Sequence, residues 1–258
     1  MDVFRKQASP TAIRAEAAGL RWLAEAEHGA PVAELVAEGD DWLETRFVRE
    51  AAATPAAAEE FGRRLAHTHA AGADWWGQAP PDVETHLLAE LPLAAPGDGE
   101  FSAFGEFFAE ARLLPYARMA ECLDTDEARL IFEAIDVVAE GACDSPQPAL
   151  VSGDVARIHG DLWGGNILWA PEGILIDPAA HGGHAETDLA ALSVFGVSHL
   201  NSILDGYEQE SPLSEDWQVR APVHQFHMLL THVALFGRSY ATGSLQLANA
   251  ILRKFGPS

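Results

Sequence analysis

The sequence of 258 residues is poor in lysine and in long apolar runs, and each shortage excludes a class of protein. Lysine occurs only at Lys6 and Lys254, and the formal net charge is −23. Binding to nucleic acid or to an anionic membrane surface needs a basic patch, so this charge balance argues against both partners. No apolar run approaches the roughly 18 residues that span a bilayer. We therefore expect neither a nucleic-acid partner nor a membrane partner.

Cysteine is also scarce. Cys122 and Cys143 are the two cysteines, they lie far apart, and the start of the chain, Met1–Lys6, lacks the apolar core of a signal peptide. Disulfides persist in oxidising compartments, so this combination predicts free thiols and a cytoplasmic protein. Hydrophobic residues make up 48% of the chain and charged residues 21%, which is typical of a globular protein with one large domain or two lobes.

The rest of the chain is organised around a polar stretch with the sequence HGDLWGGNILW, His159–Trp169. A glycine-bearing loop runs into an apolar strand, Ile167–Trp169. A Pro-Glu-Gly turn at Pro171–Gly173 reverses the chain into a second strand, Ile174–Ile176. The pattern therefore predicts a β-hairpin with polar groups at one end.

Three of those polar groups carry the predicted chemistry. The hairpin brings Asp161 and Asn166 to the same end as Asp177, which follows the second strand. Phosphoryl transfer requires such a set: a carboxylate that orients and deprotonates a hydroxyl, and an amide and a second carboxylate that hold magnesium. The residues therefore predict a phosphotransferase.

Longer sequence motifs indicate which kind of phosphotransferase the chain resembles. HGDLWGGN at 159–166, LIDPAA at 175–180 and GHxExDLA at 183–190 together resemble the fructosamine kinase, or ketosamine kinase, family of the aminoglycoside-phosphotransferase and protein-kinase-like superfamily. The resemblance covers nearly the whole chain. Further strings that match the family lie at Phe4–Lys6, Ala15–Ala17, Gly19–Leu23, Arg112–Pro115 and His232–Gly237.

This resemblance implies an α+β, protein-kinase-like fold with two lobes. Residues 1–50 are expected to form a small N-terminal, ATP-binding sheet lobe, and residues 51–258 a large, mostly helical catalytic and substrate lobe. In the small lobe we predict strands at Val3–Arg5, Pro31–Val36 and Trp42–Val48, with a helix at Thr11–Ala26. Ser9 and Pro10 are suited to the N-cap and first position of that helix.

The start of the chain departs from the superfamily pattern. Kinase-like enzymes place a hairpin with a flexible phosphate-covering loop before the lysine strand. Only five residues precede Lys6; they contain no glycine and span at most about 17 Å when extended. We therefore expect the N-terminal lobe to lack the first hairpin and its Gly-rich loop. Three alternatives stay open: an enzyme that works without this lid, a gene start upstream of Met1, and a catalytically impaired copy.

The resemblance also implies roles for individual residues. Asp161 is the expected catalytic base, and Asn166 and Asp177 are expected to hold Mg2+ and with it the ATP phosphates. Lys6, paired with Glu16, is expected to reach the α- and β-phosphates of ATP. Glu16 lies within the apolar arc of its helix, where a carboxylate needs a partner. The alternative for this pair is two solvated surface charges.

The expected acceptor is a ketosamine, either a small molecule or a glycated lysine of a protein, whose phosphorylation serves deglycation repair. Trp163 is predicted to pack against a sugar face, with a core tryptophan as the alternative. A loop is expected at 181–184, and its His181 and His184 are predicted, with Glu186, to shape the sugar pocket. A zinc site at the two histidines is disfavoured, since zinc needs three or four ligands and no cysteine lies nearby.

Two other functions compete with this hypothesis. The first is a related phosphotransferase of aminoglycoside, choline or homoserine type. The second is a catalytically impaired nucleotide-binding protein. The sequence leaves the oligomeric state, the preferred sugar and amine, and the phosphorylated hydroxyl open.

The remaining pattern predicts mainly helices. A Pro- and Gly-rich link is expected at Pro80–Gly99. His224, His227 and His232 of the C-terminal region are placed outside the site, with the alternative that one of them belongs to the wall of the substrate cleft. Asp188 is predicted to cap a helix that begins at Leu189, while the resemblance implies that it also braces the catalytic loop. The predicted helices are Ala56–His69, Phe101–Ala120, Ala128–Gly141 and one within Pro222–Phe255.

Overall fold

The N-terminal part of the chain forms a three-stranded antiparallel sheet with the strand order β1-β3-β2 and one helix packed against it. The structure is a computed structural model that describes residues 2–257. In the register of the sheet, Lys6 on β1 lies opposite the buried Leu43 on β3. The elements are β1 (Val3–Gln7), α1 (Pro10–Ala24), β2 (Leu35–Glu38) and β3 (Trp42–Arg46).

Helix α1 begins where the sequence predicted. The hydroxyl of Ser9 accepts a hydrogen bond from the Ala12 backbone amide, and Pro10 opens the helix. Ile13, Ala17 and Leu20 lie buried along one face of the helix, whereas Ala24 is exposed at its end.

The segment before β2 does not form the predicted strand over Pro31–Val36. Val32 instead makes an isolated parallel bridge to Leu175, and Ala33 donates its backbone amide to the Leu175 carbonyl at 2.9 Å. The Leu175 amide returns a hydrogen bond of 2.8 Å to the carbonyl of Pro31. These bonds attach the N-terminal sheet region to the strand that carries the polar end of the hairpin.

The remainder of the chain is mostly helical and holds the largest core. That core gathers Phe107, Ile135, Phe226 and Ile251 from helices far apart in the sequence. The helices are α2 (Pro55–Ala70), α3 (Phe104–Phe107), α4 (Leu114–Met119), α5 (Thr125–Ala139), α6 (Ala185–Val194), α7 (Leu200–Glu210), α8 (Trp217–Phe236) and α9 (Ala241–Phe255). The strands are β4 (His86–Leu88), β5 (Leu91–Leu93), β6 (Ala156–Ile158), β7 (Ile167–Ala170), β8 (Glu172–Leu175) and β9 (His181–Gly183).

The helix predicted over Phe101–Ala120 is wrong as one regular helix, whereas the prediction of a helix within Pro222–Phe255 is confirmed by α8 and α9. The segment over Phe101–Ala120 is divided into α3, a π-helical turn at Phe108–Leu113, and α4. Pro115, which has no backbone amide to donate, lies in the first turn of α4, directly after this π-helical turn. The segment over Pro222–Phe255 is broken at Gly237, whose φ of 71° ends α8 before α9 begins.

Two further predictions of irregular chain are also wrong. The expected link over Pro80–Gly99 contains the antiparallel pair β4 and β5. The stretch expected as a loop at 181–184 begins as strand β9, which pairs antiparallel with β6.

None of the helices in residues 2–257 combines the length and apolar composition that crossing a bilayer requires. Cys122 and Cys143 are both free thiols.

Candidate active site

The candidate site begins at the loop that links β6 to the hairpin of β7 and β8. The side-chain amide of Asn166 donates to the Asp161 backbone carbonyl at 2.7 Å and to its carboxylate Oδ2 at 3.0 Å. Asn166 closes a single 3₁₀ turn, Gly164–Asn166, just before β7. The loop is therefore held so that Asp161 and Asn166 stay side by side.

Asp188 braces the same loop from beneath. Its carboxylate accepts hydrogen bonds from the backbone amides of His159 at 2.7 Å and Gly160 at 3.0 Å. His69 on α2 contacts that carboxylate at 3.2 Å through Nε2, and its Nδ1 lies 2.8 Å from the Tyr207 hydroxyl. Burial alone would raise the pKa of Asp188, but these contacts outweigh it and lower the pKa.

The predicted capping role of Asp188 is wrong. Helix α6 begins at Ala185, four positions before Leu189, and the N-cap is His184, whose Nδ1 accepts the Glu186 amide. Asp188 lies inside the first turn, which leaves its carboxylate available to the loop. The brace that the resemblance implied is present.

Gly160 must be glycine for this loop to close, and we expect Gly160→Ala to destabilise the protein. Its φ is 80°, and a Cβ atom there would lie 2.3 Å from the carbonyl oxygen of Ala179. A non-glycine residue in this conformation costs about 1–3 kcal/mol before the clash is counted. Chemical denaturation should show a loss of at least that size. Gly153→Ala is the control, since a Cβ there meets nothing within 4 Å; equal stability of the two variants would contradict the prediction.

His159 supports the loop rather than facing the cleft. It is fully buried, its Nε2 donates to the Ile176 carbonyl at 2.9 Å, and its Nδ1 accepts the Asp161 amide at 3.3 Å. Since Ile176 also donates its amide to the Asn166 carbonyl at 3.1 Å, the loop and the chain after β8 are tied together. This tie places Asp177 next to Asp161 and Asn166.

Asp177 follows β8 with a φ of 52°, in the left-handed region. Its Oδ1 lies 2.9 Å from the Nζ of Lys6, which also contacts Oε2 of Glu16 at 2.7 Å. Burial alone would lower the pKa of Lys6, but the two carboxylates outweigh it and raise the pKa. The predicted pair of Lys6 and Glu16 is therefore formed. With side-chain exposures of 32% and 12% it is not a solvated surface pair.

Asp161 has an environment suited to accepting a proton near neutral pH. Burial raises its pKa to about 7, the hydrogen bond from Asn166 opposes this rise, and the charges of Asp188 and Asp177 add to it. A general base works best when its pKa lies close to the working pH. The geometry and the pKa thus give Asp161 the properties that the sequence predicted for a base.

Two cavities meet at the Lys6 ion pairs. The larger, of about 680 Å³, is lined by Asp161, Asn166 and Asp177 together with Lys6 and Glu16. The second, of about 390 Å³, continues beyond the same ion pairs. Its largely apolar wall includes Phe4, Ala33, Leu43, Phe47, Val48, Leu168 and Ile176. The site therefore offers one polar cleft and one apolar cleft, with the lysine between them.

The turn between β4 and β5 also lines the larger cavity, and the sequence reasoning missed it. Leu87–Glu90 contribute to this wall, and Ala89 has a φ of 53°. The turn lies inside the stretch that was expected to be a Pro- and Gly-rich link. The alternation of apolar residues in Leu91-Pro92-Leu93 was the only local signal of a strand there.

Trp163 is not a core residue. It is 37% exposed, it lines the larger cavity beside Asp161, and its ring stands edge-on to Phe195 with the centroids 5.9 Å apart. The structure therefore rules out the alternative of a core tryptophan and leaves one side of the indole available to a ligand.

His181, His184 and Glu186 lie away from the cleft, which corrects their predicted place in the sugar pocket. Their exposures are 2%, 1% and 1%, and none of them lines either cavity. His181 contacts the Ala179 carbonyl at 2.8 Å through Nδ1, and its Nε2 accepts from Arg112 at 3.2 Å. Because β9 pairs with β6, this segment runs into the core and cannot reach a ligand in the cleft.

Ligand atoms of His184, Glu186 and His224 lie within 4.8 Å of one another, a grouping that metals use. Here the carboxylate of Glu186 is already held by Arg220, at 2.6 Å and 3.0 Å, and lies 3.2 Å from Nε2 of His224. A guanidinium beside the carboxylate repels a metal cation. The grouping is therefore a buried ion pair with histidine support.

We expect Arg220→Met to lower the free energy of unfolding by about 3–5 kcal/mol, because it leaves the Glu186 carboxylate buried without its partner. Burial alone would raise the pKa of Glu186, but hydrogen bonds from His224 and Arg220 outweigh it and lower the pKa to about 2. The stabilisation is thus present above about pH 4.5 and is lost as pH falls toward about 2.

Urea denaturation of the Arg220→Met variant at neutral pH measures this loss. Arg253→Met is the control, since Arg253 is exposed near the end of α9 and the same side-chain change should cost under about 0.5 kcal/mol. Similar free energies of unfolding for the two variants would contradict the proposed contribution of the buried ion pair to stability.

Comparison with known proteins gives a family match over nearly the whole chain. A family model described as fructosamine kinase matches residues 3–254. The probable ketoamine kinase YniA of Escherichia coli strain K12 is 35% identical over 152 residues, which cover 57% of this chain and 49% of that protein. The chain thus spans about half the length of the curated relatives that it matches first.

Solved structures agree with that match. A candidate fructosamine-3-kinase from Thermobifida fusca shares 39% identity at a TM-score of 0.87, and the match covers 97% of this chain and 85% of that chain. The ADP-bound aminoglycoside phosphotransferase APH(2'')-Ib is 11% identical at a TM-score of 0.56, over 94% of this chain and 84% of that chain. At such low identity the likeness shows the fold alone. The predicted α+β, protein-kinase-like fold is confirmed.

Proposed function

The chain belongs to the fructosamine kinase family, as its motifs predicted, and from this premise we propose that it transfers the γ-phosphoryl group of ATP to a hydroxyl of a ketosamine. The acceptor is a small ketosamine or a glycated lysine of a protein, so the activity serves deglycation repair. The observation that carries the proposal is the meeting of Asp161, Asn166, Asp177 and Lys6 at one cleft.

We propose that residues 1–50 form the ATP-binding lobe and residues 51–258 the catalytic and substrate lobe. The adenine ring would lie in the apolar cavity of about 390 Å³ beside the chain at 46–49. Lys6, oriented by Glu16, would then reach the α- and β-phosphates where the two cavities meet. The γ-phosphate would then lie in the larger cavity, next to Asp161. The unpaired cysteines support the cytoplasm as the setting.

In the proposed reaction the acceptor hydroxyl donates a hydrogen bond to the Asp161 carboxylate. The hydroxyl oxygen forms a bond to the γ-phosphorus, and the bond from that phosphorus to the bridging oxygen breaks, which leaves the electron pair on ADP. Asp161 takes the hydroxyl proton late in this step. Asn166 holds the base in place through the hydrogen bond to Oδ2.

The donor set at Asn166 and Asp177 fits Mg2+. The amide nitrogen of Asn166 is committed to Asp161, so its Oδ1 is the atom that suits a cation, and Asp177 adds carboxylate oxygens. Hard oxygen donors of this kind are what magnesium prefers. When bound, the ion offsets the negative charge on the phosphates. Asp177 already tolerates a cation, since it contacts the Lys6 ammonium at 2.9 Å.

The test is transfer of labelled phosphate from ATP to a panel of acceptors. The panel contains fructose and ribulose adducts of simple amines, choline, homoserine and an aminoglycoside. We expect label on the ketosamines and none on the other acceptors. Label on choline, homoserine or the aminoglycoside alone would overturn the ketosamine assignment. Magnesium-dependent ATP binding with no transfer to any acceptor would overturn the kinase assignment in favour of a nucleotide-binding protein.

A further inference from the structure

A group of aromatic rings extends outward from the cleft along the end of α8. We name Phe195, His232, Phe236 and Tyr240 the aromatic platform. Ring centroids are 4.7 Å apart for Phe195 and His232, 5.5 Å for His232 and Phe236, and 5.8 Å for Phe236 and Tyr240. Trp163 stands edge-on to Phe195 at 5.9 Å and also lines the cleft beside Asp161. The platform is therefore continuous with the wall of the cleft.

The platform is open to solvent in a way that core packing does not explain. Phe236 is 59% exposed and Phe195 39%, next to Trp163 at 37%. Large aromatic side chains lose free energy of burial when they stay exposed, and a contiguous group of them marks a binding surface rather than random surface composition. Because the group continues from the cleft, its ligand is the part of the acceptor that projects out of the cleft.

His232 supplies a polar acceptor at the inner edge of the platform. Its Nδ1 donates to the Met228 carbonyl at 2.8 Å, which leaves a lone pair on Nε2. Burial lowers the pKa of His232, so the ring is neutral at neutral pH. The same side chain lines a small cavity that Asp161 also reaches. A lone pair among ring faces, so close to the proposed base, favours an N–H donor as the ligand group.

Charge further defines the ligand. Arg238, the basic residue next to the platform in sequence, is paired with Glu127 at 2.7 Å between Nη2 and Oε1. Aromatic faces attract cations and give little to anions. The net charge of −23 adds a field that favours a cationic ligand. The surface thus suits a protonated amine that carries an apolar chain.

A ketosamine contains such a group, since its secondary amine is protonated at neutral pH as other alkylamines are. We infer that the alkylammonium half of the acceptor lies on the aromatic platform, against the faces of His232 and Phe236, while the sugar half occupies the cleft at Asp161. The inference rests on the proposed function and narrows its substrate class to ketosamines of amines with an extended apolar chain.

The experiment compares two acceptors with the same sugar, the fructose adducts of hexylamine and methylamine, in wild type and Phe236→Ala. Because Phe236 is exposed, the variant should fold normally. We expect KM for the methylamine adduct to rise about 2- to 30-fold, because both adducts carry the ammonium and lose one cation–aromatic contact. KM for the hexylamine adduct should rise more, because its chain also loses contact with the ring, and kcat should stay within about twofold for both adducts. An equal rise for both adducts, or none for either, overturns the inference.

Two variants separate ring chemistry from simple apolar contact. Phe236→Leu keeps an apolar side chain without a ring face, so it should recover only part of the loss for the hexylamine adduct. Full recovery would overturn recognition of the ammonium. Val219→Ala, an exposed apolar residue at the other end of α8, is the matched control and should leave both KM values unchanged.

A binding measurement separates this inference from the proposed function. Ligand-observed NMR follows n-hexylammonium alone with wild type and Phe236→Ala. Binding to wild type that weakens in the variant supports the platform even if no ketosamine is phosphorylated. Equal binding to both proteins, or none to wild type, overturns the platform even if ketosamines are phosphorylated.

Discussion

Asp161→Asn is expected to lower kcat about 10²- to 10⁴-fold while leaving the fold and the affinity for ATP nearly unchanged. Asparagine has the same shape, and its side-chain oxygen can still accept the Asn166 hydrogen bond that now reaches Oδ2 at 3.0 Å. What the variant lacks is a group that takes the proton of the acceptor hydroxyl. The loss therefore falls on the chemical step.

Initial-rate kinetics with labelled ATP and a fructosamine measure this loss, and titration calorimetry with a non-hydrolysable ATP analogue measures nucleotide affinity. Asp154→Asn is the matched control, because it makes the same chemical change at an exposed residue just before β6. A kcat for Asp161→Asn within tenfold of wild type would show that the hydroxyl needs no base at this position.

Local sequence patterns were enough to predict the hairpin and the first helix. The chain reverses at Pro171, within the predicted turn at Pro171–Gly173, although β8 already begins at Glu172, and Ser9 caps α1 as predicted. A related argument showed that Glu16 needs a partner, because it is a carboxylate within an apolar arc. The resemblance implied Lys6 as that partner, and Lys6 meets it at 2.7 Å. Each of these features follows from residues close in sequence or from the cost of burying a charge.

The meeting of Lys6 with Asp177 is different, because 171 positions separate the two residues. No periodicity or turn chemistry connects them, and only the resemblance to a family implied that they share a phosphate site. Pairing of Val32 with Leu175 is the physical cause, since it attaches the N-terminal sheet region to the strand that precedes Asp177. Such long-range pairing is set by tertiary packing and leaves no local signal.

The misplaced residues show the converse error, in which closeness in sequence was taken for closeness to the cleft. The stretch at 181–184 was interpreted as a loop that shapes the sugar pocket. A Cβ at Gly182 would lie 2.5 Å from the Trp75 carbonyl, so this glycine permits close packing of a buried strand. Strand β9 therefore carries His181 inward, and Glu186 meets Arg220 in the core instead of a sugar.

The sequence reasoning failed to identify Ala89 and Phe236 for the same reason. Both lie where an element ends, and pattern reasoning locates such ends least well. The turn at Ala89 brings a wall to the cleft, and the break at Gly237 ends α8 just after Phe236, so that this ring remains exposed. Substrate-facing features of this fold thus lie at breaks in regular structure, whereas the predicted chemical groups lie on a motif.

Asp177→Asn is expected to lower kcat at least about 10²- to 10³-fold, the size of effect found when one group that stabilises transition-state charge is removed. Asparagine tolerates the left-handed φ of 52° found here, so the backbone should not move. Lys6 keeps its contact with Glu16 at 2.7 Å, and the sheet and α1 should stay in place. The change therefore removes one negative charge from the proposed magnesium site and little else.

Two measurements test this account of Asp177. The Mg2+ concentration that gives half-maximal ATP binding, followed by calorimetry, should rise for Asp177→Asn, and kcat should fall at every Mg2+ concentration. Asp82→Asn is the control, since Asp82 also has a positive φ, of 64°, but is exposed on a surface turn. If Asp177→Asn kept both the Mg2+ dependence and the kcat of wild type, Asp177 would serve only to hold Lys6. Charge on the phosphates would then have to be offset by other groups in the cleft.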